Sequence, residues 1–289
     1  MNNELTLNMH KAYIDADEKA LDELWIQLSN FQLIKFYSGK YKNGTNYNLS
    51  SLKSHTLWMS SPHQFNDPFD CAMNIDYSTE VLQNVQQYYH QIYGIENILD
   101  IIPPDIKNII SQQGSAIIKQ LLSSHNKKVE DSIFVSCFSE ASNLNSLRMW
   151  GHYANNHSGF CCEYSFADIK NSCPSGCLPI KYSDTIQIDD RGKSTKEHTE
   201  YILNLAYTKA SEWSYEKEWR ILTTPDEHHG KAGYSIPFPL PQKIYMGCKA
   251  NESLKQELIQ FCKKEKIRLY QMEMVPGTYK LLPIEVQMS

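Results

Sequence analysis

The stretch from Asp131 to Phe166 constrains the fold more than any other. It reads "DSIFVSCFSE", an apolar run of strand length, then "NSLRMWGHYA", a short helix, then "SGFCCEYSF", a second strand. Further strand-length segments stand at 31–40 ("FQLIKFYSGK"), 55–62 ("HTLWMSSP", closed by proline), 178–184 ("LPIKYSD"), 242–250 ("QKIYMGCKA"), and in the closing "IRLYQMEMV" and "KLLPIEV". These strands are short and irregularly separated, unlike the even alternation of a doubly wound nucleotide fold. The expected class is therefore α+β, with a mixed or split β-sheet in a single domain over 1–289.

Helices are expected where apolar residues recur at helical spacing. Residues 16–30 place Ala20, Leu21, Leu24, Trp25 and Leu28 on one face, behind early acids that suit the helix dipole. Residues 196–212 form another helix, and 251–264 a last one whose buried side is Leu254, Leu258 and Phe261. Thr79–Leu99 and a segment from Pro103 to about Ser124 also read as helices, giving a helical insert at about 78–128.

Composition excludes some function classes. The 289 residues are 41% hydrophobic and 21% charged, an ordinary globular balance. Lys and Arg number 28 against 33 Asp and Glu, a net charge of −5, which argues against broad attraction to a phosphate backbone but allows a local basic groove. The N-terminal residues lack the basic and apolar regions of a signal peptide, and no apolar run reaches the roughly 20 residues of a membrane span. A cytoplasmic protein without membrane contact is expected, its eight cysteines (71, 137, 161, 162, 173, 177, 248 and 262) reduced thiols.

Three blocks carry candidate chemistry. "WSYEKEWRIL", residues 213–222, reads as a strand by alternation. Trp213, Tyr215, Lys217, Trp219 and Ile221 then share a packing face, and Glu216, Glu218 and Arg220 the other. That charged face is either solvated, with Glu218 and Arg220 screening each other, or a pair of carboxylates desolvated by neighbouring aromatics into acid, base or charge stabiliser. In "SSPHQFNDPFD", Asn66 and Asp67 before Pro68 are strong turn chemistry, while Asp67 or Asp70 could instead reach a site to bind a hydroxyl, a metal or an arginine. In the helix at 145–154, Arg148 and His152 share a face, Leu147, Trp150 and Ala154 form the buried stripe, and Tyr153 lies at the end. His152 and His157 lack a clear third ligand, so no metal is assigned. Glycine-rich phosphate loops, a nucleophile elbow and a zinc-protease motif are all missing.

Taken in order, "LIKFYSGK", "LWMSSPHQFNDPFD", "FVSCFSEASNLNSLRMWGHYANNHSGFCCEY" and "WSYEKEWRIL" resemble the conserved blocks of a bacterial family catalogued as a domain of unknown function, over about residues 33–247. A looser resemblance is to ADP-ribosyltransferase folds, whose split sheet holds NAD. That resemblance implies Glu218 as the catalytic glutamate, Glu216 as its neighbour in a Glu-x-Glu pair, and Tyr153, or a serine from "VSCFS", as the middle element. The first strand would supply Lys35, Tyr37 and Ser38 for the cofactor, with Arg148 beside them; Lys35 stands where such enzymes carry His or Arg. Asn66, Asp67, Asp70, His152 and Arg220 would be substrate-binding or structural.

Three functions follow as expectations. The first is an NAD-using ADP-ribosyltransferase-like enzyme, a toxin or antiphage effector acting on a nucleic-acid or protein acceptor. The second is a binding module without chemistry, with aromatic residues around a small molecule or partner. The third is a nuclease-like enzyme in which Asp67, Asp70 and a glutamate hold Mg²⁺.

Overall fold

The computed structural model describes residues 3–71, 131–173, 176–185, 195–225, 227 and 230–288. The expected helical insert at about 78–128 lies outside the described residues. The fold is α+β, built on a mixed ten-stranded sheet with a separate two-stranded sheet.

The strands are β1 (Gln32–Tyr37), β2 (Thr56–Ser60), β3 (Phe134–Glu140), β4 (Phe160–Ser165), β5 (Cys177–Pro179), β6 (Lys181–Ser183), β7 (Thr208–Ala210), β8 (Glu218–Thr223), β9 (Gly233–Pro237), β10 (Lys243–Met246), β11 (Arg268–Met274) and β12 (Leu281–Glu285). In the large sheet the order runs β12-β11-β10-β4-β1-β3-β2-β9, with β8 on β3 and β5 on β8. The helices are α1 (Asn3–Ile14), α2 (Glu18–Gln27), α3 (Tyr47–Lys53), α4 (Leu147–Tyr153), α5 (Phe166–Ser172), α6 (Thr195–Tyr207) and α7 (Glu252–Glu265).

Strand β8 runs along one edge of β3 from Phe134↔Thr223 to Ser139↔Glu218. The other edge is shared by two strands: β1 pairs at Leu33↔Glu140 and Ile34↔Ser139, and β2 joins at Ser60↔Val135. The sheet therefore forks at residues 136–138 of β3. Strand β1 stays with β4 along its whole length, from Gln32↔Ser165 to Tyr37↔Phe160, and so leaves β3. Gly159 lets these two strands close up, since a Cβ there would sit 2.1 Å from the Tyr37 carbonyl oxygen.

The core fills one face of the sheet. Trp219, fully buried, packs on Phe31 and Phe166 at ring distances of 5.4 and 5.3 Å. Helix α7 contributes Leu254, Leu258 and Phe261, all buried as its apolar spacing predicts. Its Asn251 side chain caps the helix by accepting from the Leu254 N–H at 2.9 Å. A smaller apolar cluster, including Ile34, Trp150, Ala154 and Tyr245, holds α4 in place.

Several expectations need correction. Residues 213–222 are not one strand: Ser211–Glu216 is a 3₁₀ turn, Lys217 is left-handed (φ 46°), and only Glu218 onward is β8. The left-handed residue breaks the alternation, so Trp213 and Tyr215 do not share the packing face of Trp219 and Ile221. "LPIKYSD" divides into β5 and β6, which belong to different sheets. Helix α6 ends at Tyr207, and Thr208–Ala210 pairs with β6 as β7. In α4, Leu147 is 38% exposed because it is the helix's first residue; Met149 takes its place beside Trp150 and Ala154.

Candidate functional site

At the fork the ammonium of Lys35, from β1, donates to a backbone acceptor of β3. Its Nζ donates to the Cys137 carbonyl and to Ser136 Oγ, both at 2.9 Å. The ammonium lies 5.1 Å from the Phe138 ring centroid. Burial lowers its pKa below the ordinary lysine value. Replacing Lys35 by methionine should cost about 1–3 kcal/mol by removing that charged donor from the carbonyl; urea unfolding measures it, and an unchanged midpoint would count against this role.

A cleft of about 390 Å³ opens at the fork. Strands β1 and β3 line it with Lys35, Phe36, Cys137 and Ser139; the turn before Cys71 adds Phe65, Asn66 and Asp70; α4 adds Met149, His152 and Tyr153. Lys209, Glu216 and Glu218 line it too, as do Ile34, Gln64 and Phe138. Short local rules place each of them. Ser146 Oγ caps α4 on the Met149 N–H, and the fully buried Trp150 anchors that helix by donating from Nε1 to the Leu144 carbonyl at 2.6 Å. Asn143 Nδ2 donates to the carbonyls of Tyr215 and Glu216 at 2.9 and 2.7 Å, fixing the 3₁₀ turn. Asp67 Oδ1 accepts the Phe69 N–H at 2.9 Å, a turn that sends the Asp70 side chain inward.

The charges meet in one buried network. Lys209 Nζ donates to Glu216 Oε2 and Glu218 Oε2, each at 2.8 Å, and pairs with Asp70 Oδ2 at 3.3 Å. Arg220 donates from Nε to Glu218 Oε1 at 2.6 Å and from one terminal nitrogen to both Asp70 oxygens at 2.8 Å. Its other terminal nitrogen donates to the Ala206 carbonyl at 2.7 Å. Tyr153 donates its hydroxyl to Glu216 Oε1 at 2.5 Å, and the Glu218 N–H donates to the Tyr182 hydroxyl at 2.9 Å.

The two glutamates are pushed in opposite directions. Burial works to raise Glu218, but Arg220 and Lys209 outweigh it and hold its pKa at about 2. At Glu216 burial dominates, the adjoining Glu218 adds to it, and the pKa rises despite Lys209. Burial and then the Glu216 charge raise Tyr153, so its hydroxyl stays protonated and donates. A fixed anion beside a carboxyl able to carry a proton is the environment-driven split by which two similar acids acquire different roles.

Not every candidate residue reaches the cleft. Lys35, Asn66, Asp70, His152, Tyr153, Glu216 and Glu218 line it. Tyr37 lies in the core, stacked on Phe160 at 5.0 Å and hydrogen-bonded to Tyr164. Ser38 bonds Asn48, Asp67 serves the turn, and Arg148 lies over the Tyr215 ring at 5.0 Å. Arg220 is 0% exposed and stands behind the carboxylates. The sequence reading overlooked Lys209, whose lone lysine after a helix has no signature. Among the described residues no group of three or more His, Cys, Asp or Glu side chains could hold a metal ion. No helix among them is long and apolar enough to cross a membrane.

Residues 149–221 match the model of a family described as protein of unknown function (DUF2971). No curated protein and no solved structure matches the chain. The matched segment holds Tyr153, Lys209, Glu216, Glu218 and Arg220; Lys35 and Asp70 precede it.

Proposed function

We propose that the cleft takes the nicotinamide–ribose end of NAD and transfers the ADP-ribosyl group to an acceptor, in the manner of ADP-ribosyltransferases. The observation that carries this reading is the pair of buried glutamates at the fork of the ten-stranded sheet, Glu218 bonded to Lys209 and Arg220 and Glu216 to Lys209 and Tyr153, beside a first-strand lysine. Glu218 is the fixed anion. It stabilises positive charge on the ribose as the glycosidic C–N bond breaks and its electron pair leaves with nicotinamide. Glu216, oriented by Tyr153, receives the proton released when an acceptor oxygen or nitrogen bonds to that carbon. The donor set fits such a substrate: among the described residues Lys35 uses two of its three N–H groups, on Ser136 and Cys137, and Phe36, Phe65 and Phe138 offer apolar faces to a planar ring. The volume lies within the roughly 300–1,000 Å³ of small-molecule sites. The acceptor is a nucleic acid or a protein.

Purified protein incubated with NAD and candidate acceptors should release nicotinamide, and Glu218→Gln should slow that release roughly 10²–10³-fold. The proposal fails if no acceptor elicits release, or if the variant is as fast as the parent.

One observation favours a second reading, a binding module without chemistry. Both Glu218 oxygens already accept from buried cations. In that case Glu218→Gln lowers the melting temperature, and Glu216→Gln alters ligand affinity without any turnover to lose. A Mg²⁺-dependent nuclease would first have to detach Asp70 and both glutamates from Lys209 and Arg220.

A further inference from the structure

We infer that Lys209 is the positioning residue of this cleft: one ammonium clamps Glu216, Glu218 and Asp70 against one another, while Arg220, bonded to Glu218, sets the two glutamates apart. An ammonium carries three N–H donors in a tripod. Here Glu216 and Glu218 accept from the ammonium at 2.8 Å each, and Asp70, from a distant turn, pairs with it at 3.3 Å. The Trp213 ring, 5.1 Å away, covers another side of the ammonium. Lys209 is only 7% exposed, so water cannot replace it.

Two carboxylates bound to one nitrogen would repel strongly in so dry a place, and without the cation one would take up a proton. Arginine could supply the charge but not the tripod, because its donors lie in a plane. Trp213 covers part of the Lys209 ammonium where it lines the cleft, and of the two glutamates it is Glu216 that accepts from Tyr153. The other charged or titratable groups around the clamp are Arg220 on β8, Tyr182 on β6, Lys35 on β1 and Cys137 on β3, with His152 beside Tyr153 on α4. None of them touches both glutamates.

The assignment of roles rests on the catalytic reading above, but its test needs no substrate. In protein labelled at the glutamate side-chain carbons, the Glu216 and Glu218 signals are assigned by their loss in Glu216→Gln and Glu218→Gln. In the parent, Glu216 should titrate above an ordinary glutamate and Glu218 near 2. In Lys209→Met both midpoints should rise by about one pH unit or more, with Lys209→Arg intermediate. Unchanged midpoints in a folded Lys209→Met protein overturn the clamp. Should that variant not fold, the Nζ signal of Lys209 in the parent decides. It should remain protonated past 10.5, the ordinary lysine value, and loss of the proton there overturns the inference. A failed titration rejects the clamp, whereas absent nicotinamide release rejects the reaction.

Discussion

Arg220→Met should lower the unfolding free energy by about 3–5 kcal/mol, the typical cost of breaking a buried ion pair from one side. Arg220 is 0% exposed, and its guanidinium serves Asp70 with two bonds, Glu218 with one and the Ala206 carbonyl with another. Methionine fills similar space but leaves two carboxylates facing each other with Lys209 as their remaining cation. The loss comes from those uncompensated charges, so the double variant Asp70→Asn, Arg220→Met should recover part of it. Urea unfolding of the two variants beside the parent measures both effects. A loss below about 1 kcal/mol for Arg220→Met would place the pair in the class of exposed ion pairs and sink the account.

The same network shows what was legible in the sequence. The elements with strong local signals were: β1, β3, β4 and the buried side of α7 follow from apolar pattern alone. "WSYEKEWRIL" was legible in chemistry but not in shape. Glu216 and Glu218 do meet in one cluster, though Lys217 at φ 46° puts Glu216 on a 3₁₀ turn rather than two places back along a strand. "FNDPFD" satisfied both of its readings with different residues: Asp67 makes the turn, and Asp70 goes to Arg220, 150 positions away. Lys209 was illegible because its partners are Asp70, Glu216 and Glu218, and only the fold brings them to one nitrogen. Tyr37 shows the converse. Its place on the first strand suggested a ligand, but its register opposite Phe160 turns it into the core.

The opposed glutamates should also shape the dependence of stability on pH. Glu218 has a folded pKa of about 2 against 4.5 for the free group. A lowered value means stability that is fully present above 4.5 and lost as pH falls toward 2. That difference is worth about 3 kcal/mol. Glu216 acts with the opposite sign: its raised value favours the fold below 4.5, and that contribution disappears as pH rises through its folded pKa. Stability should therefore fall on both sides of a mildly acidic optimum. Other lowered carboxylates, Glu257 and Glu265, add to the acid side but cancel when variants are compared with the parent. Urea unfolding between pH 3 and 8 should show the parent's advantage over Glu218→Gln shrinking as the solution is acidified, about 1.4 kcal/mol for each tenfold change in the protonation ratio. Glu216→Gln should instead gain on the parent as pH rises toward neutrality. Parallel curves for parent and Glu218→Gln across the acid range would mean that Arg220 and Lys209 do not hold that carboxylate ionised, and the division between a fixed anion and a proton carrier would be lost with it.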